Sequence, residues 1–283
     1  MKSVNMHVRA PVLIPDNAAF QTVAVKWVRH WNEHLFSFAV ERPASFRFRS
    51  GEFVMIGLPG ESNGGEDGKP VKPVMRAYSI ASPSWAEELE FLSIKVEGGP
   101  LTGRLQAIKP GDQLYLGKKP TGTLVLDALL GGKRLFLLST GTGLAPFLSV
   151  ARDPEVYERF EQVVIVHGVR RVDDLAWREM LTAQLADDPL VADQALLQFH
   201  YLPCVTREPF HTTGRITTLI EDGRLFDAPV LGERRFDPET DRVMLCGSTG
   251  MIKETAVMLE TAGLVEGSNA NPGQFVIERA FVD

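Results

Sequence analysis

Leu135-Phe136-Leu137-Leu138-Ser139-Thr140-Gly141-Thr142-Gly143-Leu144-Ala145-Pro146 is an apolar run that breaks at two glycines and passes into a helical stretch, Leu144 to Arg152. A short continuous apolar run before such a turn is the pattern of a strand buried on both faces. The two glycines permit a tight turn and let a pyrophosphate approach the amino terminus of the helix, where free N–H groups favour an anion. Pro146 stands where a six-residue dinucleotide fingerprint has its third glycine. A strand before the glycines and a helix after them favour a phosphate-binding loop over a plain turn.

Downstream the same alternation continues. Val163 to Val166 and Val243 to Cys246 read as buried strands, and Asp173 to Leu185 and Met251 to Ala262 as helices. Gln274 to Val282 is a last strand candidate. Strand and helix in turn imply a parallel sheet covered on both faces, with ligands at the carboxyl ends of its strands. Upstream the pattern differs. Thr22 to Val28 and Leu35 to Val40 alternate with strand period, and shorter candidates follow at Glu52 to Leu58, Ala77 to Ala81, Leu89 to Val96 and Gln113 to Leu116. So many short strands in about a hundred residues suggest an antiparallel barrel. Residues 61–73 read as an exposed loop, and Leu101 to Ile108 as one short helix stopped by Pro110 and Gly111.

With 283 residues and a 44% hydrophobic share, the chain has room for two modest cores. Met1 to Asn17 has no long apolar run and resembles neither a signal peptide nor a membrane span, so the cytoplasm is the expected location. Cys204 and Cys246 are the only cysteines, too few for a disulfide framework, a four-thiolate zinc site or an iron-sulfur cluster. Redox chemistry would therefore use an organic cofactor. The net charge of −6 is uneven: residues 1–130 hold 15 basic and 13 acidic side chains, a net of +2, and residues 131–283 hold 15 and 23, a net of −8. That balance, without basic blocks interleaved with aromatics, argues against nucleic acid and leaves a small acidic protein as a partner for the first half.

Three further segments bear on chemistry. Arg76-Ala77-Tyr78-Ser79 would place Arg76 and Tyr78 on one strand face and Ser79 on the other, a guanidinium suited to a diphosphate beside a ring able to stack on a flavin. Alone, it reads as an exposed Arg and a partly buried Tyr. Gly98-Gly99-Pro100-Leu101-Thr102 would offer N–H groups and a hydroxyl to a phosphate, and an ordinary helix cap serves the local pattern equally well. Cys246-Gly247-Ser248 puts a thiol at a strand end, where a nicotinamide binds in such sheets; an inert buried thiol is the competing reading. His30-Trp31-Asn32-Glu33-His34 has the spacing of an inverted zinc-peptidase motif, but both flanks alternate as strands, so it reads as a hairpin and no metal is expected.

Taken in order, His30 to Phe38, Arg76 to Pro83, Gly99 to Thr102, Thr140 to Pro146, Thr206 to Glu208, Gly214 to Ile216, Cys246 to Ser248 and Phe275 to Val282 resemble the bacterial ferredoxin (flavodoxin) NADP reductases. The resemblance implies a six-stranded antiparallel FAD-binding β-barrel over residues 19–131, after an extension at 1–18, and a five-stranded parallel-sheet NADP-binding α/β domain over 132–283 whose last strand reaches the flavin. It implies hydride transfer from NADPH to FAD, then single electrons to ferredoxin or flavodoxin, by a monomer. Related flavin-dependent reductases serve other acceptors, and a nonenzymatic flavin-binding module is the alternative from another class.

By the same resemblance, Arg76 would hold the FAD pyrophosphate, Tyr78 would stack on the isoalloxazine and Ser79 would hydrogen-bond near its N5. Ala77, Lys95, Val96, Gly99, Pro100, Leu101, Thr102, Thr142 and Ala280 would complete the FAD site. NADP would take Thr140, Gly141, Thr142, Gly143, Thr206, Cys246, Gly247 and Ser248, with Arg207, Arg215 and Arg170 on its 2'-phosphate. Ser79, Cys246 and Glu278 would surround the reacting atoms. His and Cys are absent from residues 76–79 and 98–102, so the FAD is expected to be noncovalent. Lys69, Lys72, Lys118 and Lys119 are the candidate docking charges for the carrier.

Overall fold

The computed structural model of the protein describes residues 9–60, 72–96, 98–227 and 233–279. Six strands, β1 (Phe20–His30), β2 (Leu35–Glu41), β3 (Phe53–Leu58), β4 (Val74–Ser79), β5 (Glu88–Ile94) and β6 (Gln113–Gly117), lie in the order β4-β3-β6-β1-β2-β5. Every pairing is antiparallel. The two outer strands meet as well: the Ala81 N–H donates to the Glu90 carbonyl at 2.8 Å, and the Tyr78 and Ser93 hydroxyls lie 3.0 Å apart. This nearly closed barrel leaves little free sheet edge. Phe36, Phe38, Ile56, Phe91 and Leu116 fill it without solvent exposure. The His30–His34 stretch is a hairpin connection, with His30 paired to Phe36.

A four-residue helix, α1 (Thr102–Leu105), follows the barrel's fifth strand, shorter than Leu101 to Ile108. Gly103 weakens the turn and no side chain caps its start. The first described residues, 9–18, run along β6: Arg9 pairs with Asp112 at 2.6 Å, and the Gln113 N–H donates to the Val12 carbonyl at 2.9 Å. Residues 61–71 of the loop expected at 61–73, including Lys69, lie outside the described residues, as does Ala280.

The second half is built from β7 (Arg134–Thr140), α2 (Ala145–Ala151), α3 (Pro154–Arg159), β8 (Gln162–Val169), α4 (Arg178–Thr182), α5 (Ala192–Gln198), β9 (Phe199–Val205), α6 (Ile216–Glu221), β10 (Asp241–Cys246), α7 (Thr249–Thr261) and β11 (Phe275–Ile277). Five parallel strands lie in the order β11-β10-β7-β8-β9. In β7, Leu135 and Leu137 face one core layer with α2, α3 and α5, while Phe136 and Leu138 face another with α6 and α7. Alternation between two buried faces is why the run carries no polar residue until Ser139.

Two elements depart from the sequence reading. Asp173 to Leu185 is not one helix: a 3-10 turn at Val172–Asp174 precedes α4, and Trp177, Gln184 and Leu185 have positive φ. Tertiary contacts override the helical period there, since the Trp177 ring packs on Trp31 at 4.9 Å and the Asn32 amide donates to Asp174 at 3.0 Å. Strand β9 has no counterpart among the strands read from local pattern. It is an edge strand, where Pro203 and the half-buried His200 and Tyr201 are tolerated.

The halves share a core. Leu35, Ala81 and Leu92 of the barrel pack with the connecting segment, including Leu124, Val125 and Leu129, and with Leu144, Phe147 and Leu148. Ser50 donates to Asp153 at 2.7 Å and Trp85 to the Arg152 carbonyl at 3.0 Å. Gly51, at φ +98°, backs onto this segment so closely that a Cβ would overlap the Leu124 carbonyl, 2.9 Å from its carbon. Gly51→Ala is expected to lower unfolding stability by about 1–3 kcal/mol, combining overpacking with backbone strain. A denaturant midpoint equal to that of the parent chain would disprove this.

Candidate functional site

The strand order reverses at β7 and β10, so their carboxyl ends frame the crevice where open parallel sheets bind ligands. Two glycine-bearing turns interlock there. A Cβ on Gly143 would overlap the Cys246 carbonyl, 2.6 Å from its carbon and 2.9 Å from the Gly247 Cα. One on Gly247, which has φ +143°, would overlap the Thr140 hydroxyl, and that hydroxyl accepts from the Ser248 N–H at 2.8 Å. Gly141, at φ +55°, and Gly250 instead face open space: nothing lies within 4 Å of where their Cβ would be. The turns are locked on one side and bare on the other, as a close backbone approach to a phosphate requires.

Cys246 is buried, and its thiol is pushed well above the ordinary range by burial and then by the nearby Glu278 carboxylate. It stays protonated and is no thiolate nucleophile. Glu278 follows β11, with its N–H on the Leu245 carbonyl at 3.1 Å and its carboxylate against Gly122 of the barrel's connecting segment. Thr123 donates to the Ile277 carbonyl at 2.5 Å, and Asn269 to the Gly122 carbonyl at 2.9 Å. The adjoining Thr121 exchanges two hydrogen bonds with Phe53, which pairs with Ser79. This path links Ser79, Glu278 and Cys246 across the junction between the halves.

On the barrel side, Tyr78 is buried at 7% exposure, deeper than a half-exposed ring, and sits edge-on to Phe38 and Phe91, both at 6.2 Å. Arg76 is exposed. The Arg76 guanidinium donates to the Met75 carbonyl at 2.8 Å, and the Lys95 ammonium, just past β5, donates to the Asn32 carbonyl at 3.2 Å. Gly98, at φ +70°, has open space where a side chain would stand, and Gly99 is pressed against the Thr102 hydroxyl. The four residues of α1 add little dipole, leaving the loop N–H groups and Thr102 as the donors here.

At the far side of the sheet, the Arg207 N–H donates to the Arg170 carbonyl at 3.0 Å and the Gly214 N–H to the Val205 carbonyl at 3.2 Å. Arg170, Arg207 and Arg215 thus gather at the carboxyl ends of β8 and β9, all exposed. Among the described residues, none of these three guanidiniums has a hydrogen-bond or ion-pair partner.

Residues 137–256 match the family described as oxidoreductase NAD-binding domain. The flavodoxin/ferredoxin–NADP reductase of Rhodobacter capsulatus is 53% identical over 90% of this chain and 91% of its own. The ferredoxin–NADP reductase of Pseudomonas aeruginosa is 51% identical over 93% of this chain and 98% of its own. The chain belongs to the ferredoxin/flavodoxin–NADP reductase family. The crystal structure of a ferredoxin NADP+ reductase from Neisseria gonorrhoeae with bound FAD and NADP superposes with a TM-score of 0.78 at 30% identity, covering 93% of this chain and 99% of that one. In this ferredoxin/flavodoxin–NADP reductase family member, local sequence gave no warning that Tyr78 and Ser93 meet across the barrel's closing seam, because that register is not written in either strand. His167, fully buried beside the glycine turn, was likewise missed: a single polar residue in Val163 to Val169 gives no local sign of what it bonds.

Proposed function

We propose that this chain binds FAD and NADPH at the junction between its halves and passes electrons to a separate ferredoxin or flavodoxin. The interlocked glycine turns of residues 140–143 and 246–248, bare on the outer side and set against the barrel, carry the reading. The flavin, when bound, supplies the step from a two-electron hydride to single electrons. Arg76 and Lys95 hold its diphosphate, with Gly99, Pro100, Leu101 and Thr102 completing that end; Tyr78 and Ser79 border the ring. Thr140 to Gly143 and Cys246 to Ser248 orient the nicotinamide half of the nucleotide, and Thr206, Arg207, Arg215 and Arg170 anchor its 2'-phosphate. Cys246 fills space beside the reacting carbon as a protonated thiol, and Glu278 sets the polarity of that corner.

The carrier docks on the barrel half, where Lys72, Lys118 and Lys119 are exposed. Lys118 also donates to the Ala18 carbonyl at 2.5 Å. Among the described residues no helix is long and apolar enough to cross a membrane. Both cysteines are free and buried, which suits a reducing cytoplasm, where we place the chain as a monomer.

The purified protein is expected to be yellow, to release FAD on denaturation, to bleach on mixing with NADPH, and to reduce ferredoxin or flavodoxin at a rate that falls with added salt. Absence of releasable flavin, or a flavin that NADPH leaves oxidised, would overturn the reading; a salt-independent rate would overturn only the lysine docking. Cys246→Ala is expected to retain FAD while slowing reduction by NADPH about tenfold, equivalent to ~1.4 kcal/mol of barrier. Stopped-flow traces at the parent rate would remove Cys246 from the reacting centre.

A further inference from the structure

His167 lies in β8, beside Ser139 of β7 and Pro203 of β9, and no solvent reaches it. Its Nε2 stands 3.1 Å from the Gly141 carbonyl oxygen and its Nδ1 3.3 Å from the Tyr201 hydroxyl. A carbonyl only accepts, so Nε2 must carry the proton; Nδ1 of the neutral ring is then an acceptor, and the Tyr201 hydroxyl donates to it. Burial holds the imidazole down at about 4, which keeps the ring neutral with this single N–H. The Tyr201 hydroxyl is shifted upward by burial and remains a donor.

The carbonyl that His167 holds belongs to the bare side of the glycine turn. Among the described residues no peptide bond is cis. Across a trans peptide the carbonyl of one residue and the N–H of the next point in opposite directions. Drawing the Gly141 carbonyl inward onto His167 therefore turns the Thr142 N–H away from His167, and nothing lies within 4 Å of where a Gly141 Cβ would stand on this turn. As the second residue of the 3-10 turn Gly141–Leu144, Thr142 precedes the turn's first internally bonded donor, so its N–H is not spent within the turn. Gly141, at φ +55°, sits where the backbone has other accessible conformations, and an external hold is needed to select one.

We propose that His167, fixed in its tautomer by Tyr201, is a positioning residue for hydride transfer: it sets the Gly141–Thr142 peptide so that the Thr142 N–H faces the bound nucleotide. This rests on the function proposed above. The 2'-phosphate anchors follow β8 and β9, whereas this peptide follows β7, so the role assigned to His167 is the placement of the nicotinamide half and not the grip on the adenosine half. Gln in place of His offers an amide N–H at nearly the Nε2 position; Leu offers none.

The test compares His167→Leu, His167→Gln and Tyr201→Phe with the parent chain. Flavin reduction by NADPH in the Leu variant is expected to slow on the order of 10- to 10²-fold, the cost of a misplaced reactant. The Gln variant should recover most of that rate, and Tyr201→Phe should fall between. Affinity for 2'-AMP, which lacks the nicotinamide half, should stay within about twofold by calorimetry, tenfold being ~1.4 kcal/mol. Amide exchange of the peptide spanning residues 139–146, measured without nucleotide, should speed up in the Leu and Phe variants and not in Gln. If the Leu variant reduces at the parent rate, if Gln is as slow as Leu, or if 2'-AMP affinity falls in step with the rate, His167 does not have this role. Should the Leu variant fail to fold, Tyr201→Phe with parent-like exchange and rate would refute the proposal. A parent chain that NADPH does not reduce would instead refute the function itself.

Discussion

Gly143→Ala protein is expected to accept hydride from NADPH about 10²-fold more slowly than the parent chain and to unfold ~1–3 kcal/mol more easily. The added methyl would overlap the Cys246 carbonyl and press on the Gly247 Cα at 2.9 Å, and both neighbours are backbone. A flexible side chain would swing away; here one of the two turns must move. Either movement displaces the nicotinamide pocket. Gly141→Ala makes the contrast in stability, because its methyl would enter open space in the free protein and the unfolding cost is confined to an L side chain at φ +55°, about 1–2 kcal/mol, although that methyl would stand on the face proposed to meet the nucleotide. Stopped-flow reduction and a denaturant curve measured on both variants would decide it: a Gly143→Ala rate within threefold of the parent would show that the turns are not interlocked.

Removing Arg207 and Arg215 together is expected to erase the preference for NADPH over NADH. A charged hydrogen bond contributes ~1.5–3 kcal/mol, so two give roughly 10²- to 10⁴-fold discrimination between the nucleotides. The loss should fall on kcat/KM for NADPH, leaving that for NADH nearly unchanged and the flavin spectrum intact. Neither guanidinium has a partner among the described residues, so truncation breaks no contact of the fold. An unchanged ratio of kcat/KM for the two nucleotides in the double variant would show both arginines to be ordinary surface charges. Arg170, joined to this cluster through the Arg207 N–H, is the next to remove.

How much of this was legible in the sequence depends on how local its cause is. The run from Leu135 to Gly143 announces a buried strand and a phosphate turn because burial on two faces and positive φ leave direct marks on residue type. The change from period two to alternating strands and helices marks the two halves for the same reason. Strand β9 left no such mark, since an edge position accepts Pro203 and polar side chains. The break at Trp177 is set by Trp31, far away in the chain, and a left-handed tryptophan cannot be read from its neighbours. The site divides similarly. The glycine turns leave local marks and the three arginines entered only through the family resemblance, whereas His167 reaching Gly141 is a product of register and fold.

Leu124 to Leu129 passes between the halves as part of their common core and not as a tether over the surface. Anyone recombining this chain with a relative therefore inherits a constraint on where to cut. A crossover at residue 131 would join a connecting segment from one parent to the α2 and α3 surface of the other, and side chains selected against different partners would meet at Phe147 and Leu148. Carrying residues 120–131 with the nucleotide-binding half keeps the packing on Phe147 and Leu148 in one lineage, and moves the mismatch to the barrel side, to Leu35, Ala81 and Leu92 and to the contacts around Gly51 and Phe53, where carbonyls and N–H groups that every sequence shares do most of the joining.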